Sequence, residues 1–186
     1  MKWMRHPVWA MLAMASYAVP GPAFAEPARR AEIATGLPAS VFMAEMTWPE
    51  VAKALRQGKR AVIIPTGGLE QGGPHLVTGK HNYIVRRTAE AVPRSLGNAL
   101  VAPVVVYVPE GPIDPPQGHI AFPGTVSLLA PVFPAVLEYI ARSFKAHGFT
   151  KILLLGDSGG NQRSQQAVAD KLYQDWAGTD ARVLHV

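Results

Sequence analysis

The chain has 186 residues, 48% of them hydrophobic, a formal net charge of +5 and no cysteine. This length predicts one domain with a sizeable core. The lack of cysteine excludes disulfides and cysteinate metal sites, so any metal would depend on histidines and acids. The basic residues are scattered and do not alternate with aromatic residues, which argues against nucleic-acid binding.

The first 25 residues have the pattern of a secretory signal peptide. Lys2 and Arg5 give a positive start, residues 8–19 are apolar but too few to span a bilayer, and residues 23–25 form an Ala-Phe-Ala cleavage site. An uncleaved anchor is the alternative interpretation. We expect a secreted or periplasmic protein without stable membrane insertion. Residues 26–41, rich in alanine and proline, are predicted to form an extended arm.

From residue 42 onward, apolar runs that suit buried strands alternate with amphipathic helices. Helices are predicted over residues 48–57, 82–96, 131–147 and 162–176, and strands over residues 60–65, 100–108, 151–155 and 182–186. We expect Pro93 to kink or end the second helix. The alternation predicts an α/β fold, in which helices cover both faces of a mostly parallel sheet.

Three loops follow three of the predicted strands, over residues 66–81, 109–124 and 156–161. Because ligands bind at the carboxyl ends of the strands in open α/β sheets, we expect the loops to meet there and form a site. The first loop is rich in glycine and carries Glu70, His75 and His81, whose carboxylate and imidazole side chains are typical metal ligands. A tight turn with solvated polar side chains is the alternative.

Four short segments carry a family resemblance. Residues 46–51 read Met-Thr-Trp-Pro-Glu-Val, residues 68–76 read Gly-Leu-Glu-Gln-Gly-Gly-Pro-His-Leu, residues 118–125 read Gly-His-Ile-Ala-Phe-Pro-Gly-Thr and residues 155–161 read Leu-Gly-Asp-Ser-Gly-Gly-Asn. They resemble, in order, the segments T-W-x-E-V, G-x-x-E-Q-H-G-P-H-L-P-x-x-T-D, H-x-x-F-P-G-T and N-G-H-G-G-N of the creatininase family of metal-dependent amidohydrolases.

The resemblance implies a three-layer α/β/α sandwich with a zinc or manganese centre, often of two ions. In such enzymes a metal-activated water attacks a small, often cyclic, amide, because the metal lowers the pKa of its bound water. The resemblance also implies a homo-oligomer. Family members continue past the point that corresponds to Val186, so we expect the domain of residues 42–186 to be incomplete at its C-terminal end.

Most of the family's ligand positions are changed in this chain. Glu70 matches the ligand glutamate, but Gly72, His81 and Ser158 stand where the family has histidine, aspartate and histidine. The family's usual two-ion site therefore cannot form with these residues. We expect instead a single divalent ion, Zn or Mn, bound by Glu70, His81 and Asp157.

Two histidines and one serine complete the candidate site. His75 matches a histidine that lies beside the ligands in the family, and His119 opens the third matching segment. Ser158 is also the centre of a G-x-S-x-G pattern between a strand and a helix, which suits a nucleophile whose oxyanion hole is formed by helix amides. His75 or His119 would then serve as its base.

The sequence therefore predicts a metal-dependent amidohydrolase with a small amide, cyclic or linear, as substrate. Two alternatives stay open. The first is a serine hydrolase that uses Ser158, and the second is an exported binding protein that keeps the fold and has lost the metal.

Overall fold

A computed structural model describes residues 40–186. The predicted signal peptide and nearly all of the predicted arm lie outside the described residues. The helices are α1 (Trp48–Arg56), α2 (Lys80–Leu96), α3 (Val132–Ala146) and α4 (Gln162–Asp175). The strands are β1 (Ala61–Thr66), β2 (Ala99–Val101), β3 (Lys151–Gly156) and β4 (Arg182–His185).

The strands form one parallel sheet in the order β2-β1-β3-β4. Ala61 of β1 lies opposite Ala99 of β2 and Lys151 of β3, and Lys151 lies opposite Arg182 of β4. All six residues of the central strand β1 are buried, as its continuous apolar sequence predicts. The α/β class and the parallel sheet are confirmed.

Alternate side chains of the strands pack on opposite faces of the sheet. Ile64 and Leu154 belong to a large core cluster that includes residues of α1, α3 and α4, such as Leu137. Ile63 belongs to a second cluster with Ala89 of α2, because successive strand residues point to opposite faces. The sheet is therefore the middle layer of a three-layer α/β/α sandwich, as the family resemblance implies.

Local sequence explains where the first two helices begin and end. Thr47 and Glu50 form the predicted capping box at the start of α1. Pro93 lies inside α2 but does not end it, and the helix continues to Leu96 before Gly97 terminates it with a φ of 74°. A proline within a helix removes one backbone hydrogen bond, and Pro93 is one of the buried residues of α2.

The second strand is much shorter than predicted. It covers Ala99–Val101 instead of residues 100–108. Pro103 has no N–H with which to continue the ladder, and the chain beyond it pairs with β1 through an isolated bridge from Val105 to Thr66. Among residues 40–186, no helix has both the length and the apolar composition needed to cross a bilayer.

Candidate functional site

The three predicted loops meet at the carboxyl ends of β1 and β3. In the first loop, the Gln71 backbone N–H donates to Oγ1 of Thr125 at 3.1 Å, just beyond the second loop. His81, at the start of α2, hydrogen-bonds Asp157, which directly follows β3. The predicted convergence of the loops at one edge of the sheet is therefore confirmed.

Two glycines at the end of β1 allow an asparagine to fix the first loop. The side chain of Asn82 accepts a hydrogen bond from the N–H of Gly68 at 3.1 Å and donates one to the carbonyl of Gly68 at 3.0 Å. A Cβ at Gly67 would lie 2.0 Å from Oδ1 of Asn82, so only glycine fits there. The turn that carries Glu70 is thus held by α2.

Glu70 is the centre of the polar cluster. Its Oε1 accepts a hydrogen bond from Nζ of Lys80 at 2.8 Å and lies 2.7 Å from Nε2 of His81. Nδ1 of His81 hydrogen-bonds Oδ2 of Asp157, and Nε2 of His119 lies 3.5 Å from Oε2 of Glu70. Both ring nitrogens of His81 are therefore engaged with carboxylates, and Glu70 is approached by three basic side chains.

A second buried glutamate, Glu110, lies beside the first. Burial, then the hydrogen bond to Glu70 and the negative charge of Glu70, raise the pKa of Glu110 to about 8. Burial acts to raise the pKa of Glu70 as well, but hydrogen bonds with Lys80, Glu110 and His81 lower it to about 2. At neutral pH, Glu70 is therefore ionised and Glu110 is mostly protonated.

These residues do not fit the predicted metal site. Asp157 contacts one ring nitrogen of His81 and Glu70 the other, so the three predicted ligands do not converge on one point. Throughout residues 40–186, no three His, Asp or Glu side chains are arranged to hold a metal ion. A positively charged group, Lys80, already contacts Glu70. The structure brings Glu70, His81 and Asp157 together as hydrogen-bond partners and not as ligands of one ion.

The predicted catalytic residues have different surroundings. His119 joins the cluster, with its Nδ1 3.2 Å from the backbone oxygen of Gln71 and its side chain 43% exposed. His75 is exposed on a turn, and within the described part of the chain its side chain makes no hydrogen bond. The hydroxyl of Ser158 likewise has no hydrogen-bond partner among residues 40–186, and its catalytic role stays a prediction.

A hollow of about 320 Å³ opens between the first and second loops. It is lined by Gln71, Pro74, Leu76, Thr78, Phe122 and Pro123. Its wall is mostly apolar with a few polar groups, the composition that small-molecule sites usually have. Since Gln71 also contacts His119, the hollow adjoins the polar cluster.

Sequence reasoning missed three residues that define the cluster. Lys80 lies near the end of the first predicted loop, Glu110 near the start of the second and Asn82 at the start of the second predicted helix, and the sequence predicts a site role for none of them. For Lys80 and Asn82 the available signal was their position on either side of His81. No sequence pattern pointed to Glu110.

A family model described as creatinine amidohydrolase matches residues 44–185. Among curated proteins, the 3-dehydro-scyllo-inosose hydrolase of Thermotoga maritima is 31% identical over 66% of this chain and 37% of its own length. The creatinine amidohydrolase of Pseudomonas putida is 29% identical over 62% and 44%. The mycofactocin precursor peptide peptidase of Mycolicibacterium smegmatis is 31% identical over 64% and 47%. The chain thus spans less than half the length of these relatives, all of which are hydrolases by name.

Solved structures agree with this assignment. A crystal structure of creatinine amidohydrolase matches with a TM-score of 0.70 and 26% identity, over 80% of this chain and 58% of that one. A manganese form of creatininase matches with a TM-score of 0.69 and 25% identity over the same shares. A mutant described as the Zn-Zn type matches with a TM-score of 0.70. A divalent metal therefore occurs in relatives of this fold, and the chain itself belongs to the creatininase family.

Proposed function

We propose that this chain binds a small amide-containing molecule in the hollow between its first two loops and does not hydrolyse it with a metal-activated water. The observation that carries the proposal is the charge pairing of Glu70, whose carboxylate contacts Lys80 and His81 and offers no converging ligand set to an ion. Catalysis of the family type requires such a set, whereas binding requires only the hollow.

The chemistry of the hollow supports a ligand with one apolar face and one hydrogen-bonding edge. Leu76 and Phe122 are largely exposed apolar side chains of its wall, 55% and 51% accessible. Gln71 and Thr78 supply hydrogen-bonding groups at the same opening. Two of the relatives are named for substrates that contain an amide, creatinine and a peptide, and this favours an amide as the polar part of the ligand.

The second candidate function is hydrolysis of the C–N bond of the same class of molecule. It is favoured by the family membership and by His119, which is partly exposed and has Nε2 3.5 Å from Oε2 of Glu70. A carboxylate beside an imidazole orients the ring so that it can take a proton from water. Ser158 has no hydrogen-bonded base within the described residues, which leaves a serine hydrolase the least supported alternative.

A thermal-shift and calorimetric screen of the full chain tests the proposal. The probes are small cyclic and linear amides, including creatinine and short peptides, each followed by chromatography for hydrolysis products. We expect saturable binding without product, at least tenfold weaker in Phe122→Ala. Tyr139→Ala, which removes an exposed ring from α3, is the matched control and should bind as the parent does.

The results of the screen distinguish the two candidate functions. Release of amine or acid that stops in His119→Gln would favour the hydrolase. Failure of every amide to bind would contradict both candidate functions.

Export and assembly stay predictions. The sequence of residues 1–25 supports a proposal of export to the periplasm or beyond. Mass spectrometry of the protein from the extracellular and periplasmic fractions should give a chain that begins at Glu26. Light scattering of the same sample tests the homo-oligomer that the family resemblance implies.

A further inference from the structure

The side chain of Lys80 lies beside position 72, where the family's sequence pattern has a ligand histidine. The pattern has a histidine at the position of Gly72 and a threonine at the position of Lys80. In the structure, a Cβ at Gly72 would lie 3.0 Å from Cε and 3.1 Å from Nζ of Lys80. The lysine side chain therefore occupies the space into which a side chain at position 72 would have to grow.

The ammonium group of Lys80 also has the contact that a bound cation would make. Its Nζ lies 2.8 Å from Oε1 of Glu70, the one carboxylate that matches the family's ligand glutamate. The two side chains are only 18% and 10% exposed, so this ion pair is not an ordinary solvated pair at the surface. A buried carboxylate needs a compensating positive charge, and here the chain itself supplies it.

We propose that the ammonium of Lys80 replaces a metal ion in this protein, in both position and charge. Gly72 and Lys80 then form a linked exchange, because the glycine makes room for the lysine and the lysine neutralises Glu70. The inference concerns the metal alone, and it holds whether or not the hollow binds an amide. It predicts that the chain folds without added metal, because the ammonium of Lys80 already neutralises the carboxylate of Glu70.

Metal content and metal affinity test the exchange directly. The full-length protein, purified without chelator, should contain less than one tenth equivalent of zinc or manganese by mass spectrometry. Adding Zn²⁺ or EDTA should leave its melting temperature unchanged. A stoichiometric metal that EDTA removes, with a fall in melting temperature, would overturn the proposal.

Restoring the family's residues supplies the matched comparison. Gly72→His adds a ligand beside Glu70, and Lys80→Thr removes the ammonium that blocks it. We expect the double variant to bind Zn²⁺ at least tenfold more tightly than Gly72→His alone, as measured by calorimetry. Equal affinity of the two proteins would show that Lys80 does not occupy the position of an ion.

A third pair of variants covers the case in which Gly72→His does not fold. Lys80→Met keeps the length of the side chain and removes its charge, whereas Lys80→Arg keeps a positive charge. We expect a clear fall in melting temperature for Lys80→Met, with at least half of the loss recovered in Lys80→Arg. Lys151→Met removes an exposed lysine from β3 and is the control for net charge. A Lys80→Met protein as stable as this control would contradict the proposal.

Discussion

The buried Glu110 should make the stability of the fold depend on pH in an unusual direction. Burial and the neighbouring Glu70 raise the pKa of Glu110 from its ordinary 4.5 to about 8. Between these values the folded protein holds a proton that the unfolded chain has lost, so the free energy of unfolding falls as pH rises. One pKa unit corresponds to ~1.4 kcal/mol, so the total loss by pH 8 is at most ~5 kcal/mol.

The variant Glu110→Gln tests this reasoning, because glutamine has the size of the protonated acid and does not ionise. We expect the stability difference, variant minus parent, to grow between about pH 5.5 and pH 8 by up to ~1.4 kcal/mol per pH unit. Urea unfolding followed by circular dichroism measures it. Glu70 does not confuse the result, since its folded-state pKa of about 2 affects stability only below about pH 4.5.

A surface carboxylate provides the control for this measurement. Glu90 pairs with Arg94 on α2, and the hydrogen bond from Arg94 lowers the pKa of Glu90, so the group is ionised throughout the same pH range. The difference between Glu90→Gln and the parent should therefore not change with pH. If Glu110→Gln behaves in the same way, Glu110 is not a neutral buried acid and the reasoning is refuted.

Three further measurements test the fold and the site. Asn82→Ala removes both hydrogen bonds to Gly68 and should lower the free energy of unfolding in urea by ~1–3 kcal/mol. Gly67→Ala should destabilise the Asn82→Ala variant less than it destabilises the parent, because the added methyl group of Gly67→Ala clashes with the side chain of Asn82. Phe133→Ala empties a fully buried position and should cost ~3–5 kcal/mol in the same assay. Glu70→Gln should be less stable than the parent near neutral pH, and this difference should shrink as pH falls from about 4.5 toward 2, since protonating Glu70 loses the stability gained from its lowered pKa.

The architecture could be predicted because it depends on side-chain period. Residues 61–64 are apolar without a break, as a strand buried on both faces requires, and the helices that follow show one apolar face. The strand prediction was wrong where strand-forming side chains have no continuous pairing with a neighbouring strand. The run Val104-Val105-Val106 has strand-forming side chains, but Pro103 precedes it and only a single bridge joins it to β1.

The site could be predicted only to the level of which loops meet. Strand order at the carboxyl edge is enough to bring Glu70, His81 and Asp157 together. The direction of each side chain could not be predicted, because the spacing of residues along the sequence does not determine which nitrogen of His81 faces which carboxylate. Nor does it say that Lys80 folds over Gly72 instead of pointing into solvent, a contact that depends on the path of the loop in three dimensions.

The strand order also has a consequence for how the chain folds. The central pair joins Ala61 to Lys151, roughly 90 residues later in the chain, and only the short β2 pairs with β1 across a smaller separation. Contacts between such distant residues form slowly, because a long loop must close before any of them is gained. During synthesis, the apolar strand β1 must therefore wait for β3 to emerge from the ribosome, and until then it is exposed to aggregation.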